Sequence, residues 1–470
     1  MISRRAFLAS AAVLRPRRPN VLLVLPDQLR AQSLGCYGNA EVHTPNIDAL
    51  ARQGALFDNT IANSPVCCPA RATLLTGQYC HANGMTANDL RLRESSTTLS
   101  SILKREGYRT GFVGKWHLDG GPREPGFVPP GPRRHGFDFW AAHECSHRHF
   151  NNTYFRDTPE PLPVRGFEPE GWTDLALEFL AVTRTDTRPF FLTVQMGPPH
   201  DPYGAPPEYM SRYDATALSM RPNWRDTPRG GRKEIGAYCA AITAVDDQLG
   251  RMMRELGRLG LAEDTIVVFS SDHGDMLGSQ GEILKRKPWE ESIRVPGIVR
   301  YPGRIRAGRR ESAIFTHADF APTLLRLCGA DVPRSMQGAD LSALLTGRSS
   351  RAPQAAFLQI FGPYQGDRTP AGWRGLRTAR HTYARFRDKP WVLYDNHADP
   401  FQLENLAADP AAARLRRRLD SELQSWMART GDSWDFNWTH LVEDGGRLYK
   451  SQTHYSVADY LRHSGSSGER

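Results

Sequence analysis

The sequence predicts an α/β fold in which helices flank a central, mostly parallel sheet. Short apolar runs that suit strands buried on both faces recur along the chain and alternate with stretches of helical periodicity. This alternation is typical of strands joined by helical crossovers within one sheet. After about residue 365 the pattern changes to alternating apolar and polar residues. That change predicts a smaller C-terminal α+β subdomain with an antiparallel sheet.

Each predicted element rests on one of these patterns. The apolar runs that predict parallel strands are Val21–Leu25, Arg109–Val113, Phe190–Met196 and Ile266–Phe269. The helical stretches of the same region are Asn46–Gln53, Leu99–Glu106, Thr173–Thr183 and Lys233–Leu259. In the C-terminal part, strands are predicted at Tyr383–Phe386 and Trp391–Tyr394, and a helix at Ala411–Ala428. Two stretches rich in Gly and Pro, Gly120–Pro132 and Ser219–Gly231, predict long loops that shape substrate access.

The composition excludes several classes of protein. The 470 residues, 40% hydrophobic and 24% charged, are ordinary for a globular chain of two to three domains. No apolar run approaches the roughly 18 residues of a membrane span, so no integral span is expected. The net charge of +9 falls to +4 without five arginines in the first 18 residues, which is too mild to predict nucleic-acid binding. Seven cysteines without CxxC pairs argue against a zinc finger or a disulfide scaffold.

The N-terminus carries a targeting pattern. The run from Ser3 to Leu8 contains Arg4 and Arg5, precedes a short apolar stretch and resembles a twin-arginine export signal. A basic segment follows abruptly, so a basic disordered tail is the alternative. The export interpretation predicts a periplasmic or secreted protein, and the alternative predicts a cytoplasmic one.

A reactive residue stands at the start of a predicted short helix. Pro69 suits the first turn of a helix and Gly77 suits its end, so a helix is predicted between them. Cys67 then lies at the helix N-terminus, where N–H groups and the helix dipole favour an anion, and Arg71 shares its face. The segment predicts that an anion is handled beside a reactive side chain, with Cys67 and Cys68 both open as that side chain.

Metal-binding side chains follow two predicted strands. Asp27 and Gln28 come directly after the first strand, and Asp272 and His273 follow a later one. The carboxyl ends of parallel strands meet at one edge of a sheet, where ligands bind. Two carboxylates, an amide oxygen and an imidazole suit calcium, magnesium or manganese better than zinc. A lone Asp after a strand is usually a helix cap, but two such pairs favour a metal site.

Cationic side chains accompany these ligands. Lys115 and His117 lie two residues apart at another strand end, where their side chains can point the same way. His200 lies in a loop stiffened by prolines, and Lys285 opens a basic run. Each alone is more often a surface residue or an ordinary hydrogen-bonding one. Together near a metal they would suit an ester of a multiply charged oxyanion.

The motifs and their order resemble the type I sulfatases of the alkaline-phosphatase superfamily. The frame Cys-x-Pro-x-Arg with a following Leu-Thr-Gly is matched from Cys67 to Gly77. A second signature is similar to Gly107–His117, and the likeness continues through His200 and Ser271–Gly274. The resemblance covers about residues 19 to 410. The resemblance implies an alkaline-phosphatase-like fold with a sulfatase catalytic domain over residues 18–365 and a C-terminal subdomain over 366–470, after a signal or tail over 1–17.

The resemblance also implies a cofactor and a modification. It selects Cys67 over Cys68 as the cysteine that a formylglycine-generating enzyme oxidises to Cα-formylglycine, which then acts as its hydrate. The implied ligands of a calcium ion are Asp27, Gln28, residue 67, Asp272 and His273. Gln28 stands where many members carry a second aspartate, so manganese or magnesium stays possible. The implied catalytic residues are Cys67, Arg71, Lys115, His117, His200, Asp272 and Lys285.

The implied activity is release of sulfate from an organic sulfate ester, with a sulfated glycan or small molecule as substrate. Two alternatives stay open: a phosphonate monoester or phosphodiester hydrolase of the same superfamily, and an inactive protein that binds sulfated glycans. The segment containing His143, His147, Arg148 and His149 is interpreted either as a lining of the substrate pocket or as a solvated polar loop.

Overall fold

The strands of the computed structural model are, in chain order, β1 (Asn20–Asp27), β2 (Ala55–Ile61), β3 (Arg109–Lys115), β4 (Phe139–His143), β5 (Phe150–Tyr154), β6 (Leu162–Phe167), β7 (Phe190–Pro199), β8 (Thr265–Ser270), β9 (Arg294–Val295), β10 (Gly297–Arg300), β11 (Arg309–Thr316), β12 (Ala355–Ile360), β13 (Trp373–Thr378), β14 (His381–Arg385), β15 (Pro390–Asp395), β16 (Arg447–Lys450) and β17 (Thr453–Ser456). The helices are α1 (Pro45–Gln53), α2 (Cys67–Thr76), α3 (Cys80–Asn83), α4 (Leu99–Arg105), α5 (Glu168–Ala181), α6 (Pro207–Met210), α7 (Arg232–Arg258), α8 (Glu290–Ile293), α9 (His317–Leu327), α10 (Ser342–Leu345) and α11 (Ala413–Thr430).

The structure describes residues 18–120, 126–182, 185–362, 369, 371–434, 447–450 and 453–456, the last two ranges as backbone only. The segment 1–17, for which an export signal is predicted, lies outside the described residues. Within the described ranges, no helix has the length and apolar character needed to cross a membrane.

A nine-stranded, mostly parallel sheet forms the centre of the fold and confirms the predicted class. Its order is β11-β2-β10-β8-β1-β7-β3-β4, with β9 paired to β2. Strand β1 runs parallel to both β7 and β8, and β3 runs parallel to β7 and β4. Strand β10 runs antiparallel to its two neighbours. The carboxyl ends of β1, β3, β7 and β8 therefore meet at one edge.

Both faces of this sheet are covered, which explains why its strands are uniformly apolar. All eight residues of β1 are buried. Successive side chains point to opposite faces, so Val21 and Leu23 pack in one apolar layer with residues of α2, α4 and α9, whereas Leu22 and Val24 pack in the other with residues of α1, α5 and α7. The central strands are thus fixed rigidly where they present their carboxyl ends.

The C-terminal part contains the predicted antiparallel sheet, with the order β12-β13-β14-β15. Helix α11 packs on it through Leu419, Leu423 and Met427. The first of these strands, Ala355–Ile360, precedes the predicted boundary at residue 366, and the division into domains stays a prediction. The predicted loop Ser219–Gly231 has no helix and no named strand; of the loop Gly120–Pro132, residues 121–125 lie outside the described part.

Candidate active site

Buried charges join the ends of β1, β3 and β8 to helix α2. Lys115 Nζ at the end of β3 lies 2.8 Å from Asp27 Oδ2 at the end of β1. Arg71 Nη2, from α2, lies 2.9 Å from the same oxygen and 2.9 Å from Asp272 Oδ2. Arg71 also donates to the Lys115 carbonyl at 3.0 Å and to Gln195. These charges have almost no exposure to solvent, so each is held by its partners.

Cys67 is the first residue of α2 and lies among these charges. The preceding residue, Val66, is extended, and the helix ends at Gly77 in the left-handed conformation, close to the predicted bounds. The Cys67 Sγ lies 3.3 Å from His273 Nε2 and 3.3 Å from Lys285 Nζ. Burial opposes ionisation of the thiol, but nearby positive groups, Lys285 first, outweigh it and hold the Cys67 pKa well below its ordinary value. The position therefore favours an anion.

Four of the predicted ligands form a compact cluster. Asp27, Cys67, Asp272 and His273 are buried, and one possible ligand atom of each lies within 4.8 Å of all the others. Asp27 Oδ1 is buried and has no hydrogen-bond partner among the described residues. His273 Nδ1 donates to the Gly274 carbonyl at 3.0 Å, which leaves the Nε2 lone pair for the cluster. The two carboxylates and the unpartnered oxygen of Asp27 fit a divalent metal cation.

The charge of Asp27 agrees with this arrangement. Burial raises the pKa of the Asp27 carboxyl and the Cys67 sulfur adds to that effect, but Lys115, His200 and Arg71 outweigh both and hold the pKa well below its usual range. Asp272 accepts backbone N–H bonds on Oδ1 from Gln28 at 3.0 Å and from His273 at 2.9 Å. Both carboxylates are thus fixed in place by donors from several elements.

The orientation of Gln28 is set by two acidic neighbours. Its Nε2 donates to Asp275 Oδ2 at 2.6 Å and lies 3.5 Å from Asp201 Oδ1. Its Oε1 consequently faces the site and accepts from Lys285 Nζ at 2.7 Å. Neither Asp201 nor Asp275 is among the predicted site residues, although each lies close in sequence to one of them, Asp201 to His200 and Asp275 to Asp272.

His200 and Lys285, both buried, contact each other beside the cluster. Lys285 Nζ donates to His200 Nε2 at 2.9 Å, because an ammonium group can only donate. The His200 Nδ1–H therefore donates to the Asp201 carbonyl at 2.6 Å. The pair lies beside Cys67, whose Sγ is 3.3 Å from Lys285 Nζ.

His117 is held by a carboxylate that the sequence did not single out. Its backbone is left-handed, with φ 56°, and its Nε2 lies 3.0 Å from Asp89 Oδ1. Burial opposes the charged form of His117, but the Cys145 and Cys68 sulfurs and Asp89 outweigh it and hold its pKa well above the ordinary value. Cys68 faces away from the cluster, since its Sγ accepts the Asp89 N–H at 3.3 Å. Asp89 lies in a loop, where no periodicity marks it.

The segment after β4 divides between the two interpretations given to it. Arg148 is exposed, His143 and His149 are buried, and His147 is half-buried. The His147 ring stacks on the His200 ring, with centroids 4.3 Å apart and planes 19° apart. Burial and then the neighbouring cations, His200 first, hold the pKa of His147 well below its ordinary value. Only part of the segment is solvated, and His147 forms one wall beside His200.

The structure thus brings all the predicted site residues to one edge of the sheet. Their individual roles stay predictions. Sequence reasoning missed the residues that hold these side chains in place, which are Asp89, Glu168, Gln195, Asp201 and Asp275. It also missed this holding role for His149.

Family models and relatives agree with this geometry. The sulfatase family model matches residues 19–330, and a model described as N-sulphoglucosamine sulphohydrolase, C-terminal, matches residues 278–429. An ulvan-active sulfatase of Formosa agariphila is 38% identical over 425 residues, which are 89% of this chain and 83% of that protein.

Solved structures give the same result. A putative sulfatase from Bacteroides fragilis has a TM-score of 0.81 and 32% identity, over 89% of this chain and 97% of that one. A structure in complex with its substrate D-glucosamine-2-N,6-O-disulfate has a TM-score of 0.81 and 26% identity, over 89% and 99%. A phosphonate monoester hydrolase of Agrobacterium radiobacter is less similar, with a TM-score of 0.73 and 25% identity over 88% and 96%. The chain belongs to the sulfatase family and is a sulfuric ester hydrolase with an alkaline-phosphatase-like fold.

Proposed function

We propose that this protein releases sulfate from a sulfated carbohydrate, with residue 67 in the form of Cα-formylglycine. The observation that carries the proposal is the position of Cys67, whose Sγ lies 3.3 Å from both His273 Nε2 and Lys285 Nζ at the start of α2. In the modified enzyme, the formylglycine oxygen would take the place of this sulfur. A nucleophile here would face a sulfate group held by surrounding cations, where developing negative charge is stabilised.

A calcium ion is the proposed cofactor, and Asp27, Gln28, Asp272, His273 and residue 67 would hold it. Asp27 Oδ1, buried and unpartnered among the described residues, supports this assignment. When bound, the cation supplies neutralisation of sulfate oxygens and polarisation of the sulfur centre. Gln28 in place of a carboxylate leaves manganese or magnesium possible, and metal analysis of the purified protein distinguishes the three.

Side chains of the protein carry out the other steps of the proposed reaction. The formylglycine hydrate, once formed, supplies two hydroxyls on one carbon, one to attack sulfur and one whose deprotonation expels sulfate. Asp272 is placed to take the proton of the attacking hydroxyl, and Arg71 orients the hydrate. Lys115 and Lys285 hold the sulfate oxygens.

Two histidines complete the proposed proton transfers. His200, held at Nδ1 by the Asp201 carbonyl, donates the Nε2 proton of its protonated ring to the oxygen of the departing alcohol, and Lys285, 2.9 Å from Nε2, turns to the sulfate oxygens when the ester binds. His117, held at Nε2 by Asp89, takes the proton of the second hydroxyl at Nδ1, which has no hydrogen-bond partner among the described residues, so that the carbon–oxygen bond to sulfate breaks and the aldehyde is restored. His117 must be neutral for this step, so the step slows as the pH falls below its raised pKa. Water then hydrates the aldehyde, and the net reaction consumes one water for each ester.

Carbohydrate is the favoured substrate class because the similar proteins are named for it. One is an ulvan-active sulfatase, another is an N-acetylglucosamine-6-O-sulfatase of Bacteroides thetaiotaomicron, and a third was solved with a sulfated glucosamine. Formylglycine-generating enzyme is the maturation partner that this proposal requires.

The export and domain predictions join the proposal. The pattern at Arg4 and Arg5 favours twin-arginine export of a folded enzyme to the periplasm or beyond. Oxidation of Cys67 on the unfolded chain would then precede export. Division at residue 365 into a catalytic domain and a C-terminal subdomain is proposed alongside.

The deciding experiment measures sulfate release from a panel of sulfated mono- and oligosaccharides, with an aryl phosphonate ester in parallel. Cys67→Ala is the blank, and Cys68→Ala is the matched control that removes the adjacent thiol. We expect activity on sulfated sugars with Cys68→Ala and none with Cys67→Ala. Faster turnover of the phosphonate would contradict the assignment.

Mass spectrometry of the tryptic peptide that contains Cys67 tests the modification directly. We expect the mass of the aldehyde form when the protein is made with the generating enzyme. An unmodified thiol under those conditions, together with retained glycan binding, would support the inactive binding protein instead.

A further inference from the structure

A buried ion pair lies directly behind His200. His149 Nδ1 lies 3.1 Å from Glu168 Oε1, and His149 Nε2 lies 2.7 Å from the backbone carbonyl oxygen of His200. The two side chains are 3% and 0% exposed. A carboxylate and a carbonyl can only accept, so both ring nitrogens donate and the ring is an imidazolium.

The protonation of both partners agrees with this assignment. Burial opposes charge on His149, but its contact with Glu168 outweighs burial and raises the His149 pKa above the ordinary value. Burial likewise opposes charge on Glu168, and His149 again outweighs it and lowers the Glu168 pKa. Asn152 of β5 donates to Glu168 Oε2 at 2.5 Å, so both carboxylate oxygens are occupied.

A glycine at position 197 leaves the space that this pair occupies. A Cβ at Gly197, near the end of β7, would lie 2.0 Å from Glu168 Oε1 and 3.0 Å from the His149 ring. Any side chain at Gly197 would therefore displace the pair. The His200 N–H bonds to the Gly197 carbonyl at 3.0 Å, so the turn that carries His200 begins at the same glycine.

The pair acts on His200 through the backbone. The His200 ring is held by Lys285 at Nε2, by the Asp201 carbonyl at Nδ1 and by the stacked His147. His149 adds a charge-assisted hydrogen bond to the carbonyl, which is stronger than a neutral one. This bond fixes the main chain from which the ring projects.

We propose that the His149–Glu168 ion pair is a positioning device that holds His200 where it donates a proton to the departing alcohol. The proposal rests on the proposed function, in which His200 is that donor. Among the described residues, neither His149 nor Glu168 hydrogen-bonds to a member of the Cys67 cluster. Asp27 of the cluster contributes less to the raised pKa of His149 than Glu168 and the His200 carbonyl do, so His200 is the main route from the pair to the site.

This role has a kinetic signature that ordinary structural support lacks. Proton donation is needed when the departing oxygen is strongly basic, as in a sugar alkoxide. It is hardly needed for a weakly basic oxygen, as in 4-nitrophenolate. Loss of the pair should therefore slow sugar sulfates selectively.

The test uses the full-length, formylglycine-bearing enzyme and the double variant His149→Gln/Glu168→Gln, which removes both charges and retains side-chain length at the carboxylate. The sulfated sugar of the panel that the enzyme hydrolyses fastest provides the basic leaving group. The weakly basic leaving group comes from 4-nitrophenyl sulfate, or from a sugar sulfate with fluorine beside the ester if the enzyme does not bind the aryl group. We expect kcat for the basic leaving group to fall about 100-fold and kcat for the weakly basic one to fall less than about 3-fold.

A matched control removes another buried ion pair. Arg374 of β13 forms an ion pair with Asp432, which follows α11, and both side chains are buried. The control variant is Arg374→Met/Asp432→Asn. It should leave the ratio of the two rates as in wild type. Equal losses on both substrates in the His149→Gln/Glu168→Gln variant, or no loss on either, would overturn the proposal.

If the double variant does not fold, Gly197→Ala is used instead, because it displaces the pair without removing either residue. The same comparison of rate losses on the two substrates then supports or overturns the proposal. Wild-type enzyme without activity on any sulfate would refute the proposed function and this proposal together. Active wild type with equal losses in the variant would refute the positioning role alone.

Discussion

Gln28 shows how a single amide adapts a site that lacks one carboxylate. Its Nε2 faces Asp275 and Asp201, and its Oε1 faces Lys285. Burial raises the pKa of Asp275, and Gln28 and Tyr203 are among the groups that counter this effect by donating hydrogen bonds. A carboxylate at position 28 would meet two acidic neighbours with no donor between them. The amide is therefore matched to its acidic surroundings.

Gln28→Glu tests this match. We expect sulfatase kcat/KM to fall by at least about 10-fold, since a supporting donor to the site is lost and like charges are brought together. The double variant Gln28→Glu/Asp275→Asn restores a donor at the same contact and should recover part of the loss. Equal activity of the single variant and wild type would show that the amide donor is unimportant.

Asp89 holds the histidine that is proposed for the second proton transfer. It holds His117 by a 3.0 Å contact between Oδ1 and Nε2. In Asp89→Asn we expect kcat to fall about 100-fold with the first alcohol release unimpaired, because in the proposed mechanism His117 acts only after the alcohol has left. Rapid-quench kinetics should show a burst of about one alcohol per enzyme, and His117→Ala should show the same burst. A slow first turnover in either variant would contradict this order of steps.

At the scale of elements, the site depends on how closely β3 approaches β7. Gly114 of β3 has φ 101°, and a Cβ there would lie 1.9 Å from the Gln195 carbonyl oxygen. Gln195 accepts from Arg71, and Lys115 follows Gly114, so this contact sets the distance between two parts of the site. The tight approach explains why the strand tolerates a glycine in its interior.

Gly114→Ala and Gly107→Ala form a matched pair that separates strain from crowding. Both glycines have positive φ, but nothing lies within 4 Å of a Cβ at Gly107. We expect Gly107→Ala to lower the free energy of unfolding by about 1–2 kcal/mol from backbone strain alone. Gly114→Ala should lower it by at least twice as much and reduce activity. If urea unfolding shows the same loss of unfolding free energy in both variants, crowding against β7 contributes nothing to the effect of Gly114→Ala.

For the whole molecule, sequence reasoning predicted the central sheet and the chemistry at its edge because local patterns encode both. Apolar runs mark strands buried on two faces, and Asp27 or Asp272 directly after such runs marks the carboxyl edge. Strand β2 escaped prediction because it mixes apolar residues with Asp58 and Asn59, whose partners lie elsewhere in the chain.

The supporting contacts could not be predicted for a related reason. His149 meets His200 across 51 residues, and Asp89 meets His117 across 28. Each contact depends on the path of a loop after a strand, which side-chain periodicity does not specify. Glu168 was missed because the predicted helix began at Thr173, whereas α5 begins at Glu168 with Pro169 in its first turn. The sequence therefore predicts candidate reacting groups, and the structure adds the residues that hold their side chains.

Buried neutral histidines make the stability of the whole molecule depend on pH. His143, at the end of β4, stacks on Trp172 with centroids 5.6 Å apart, and burial lowers its pKa to about 3. A folded-state pKa below the unfolded value of about 6.5 means that the unfolded chain binds the proton first as the pH falls. The contribution of His143 is therefore complete above about pH 6.5 and is lost progressively toward pH 3. In urea unfolding between pH 7.5 and 4.5, wild type should lose about 1.4 kcal/mol per pH unit below 6.5 relative to His143→Phe, which cannot titrate. Parallel stability curves for the two proteins would show that the His143 pKa is not lowered in the folded state.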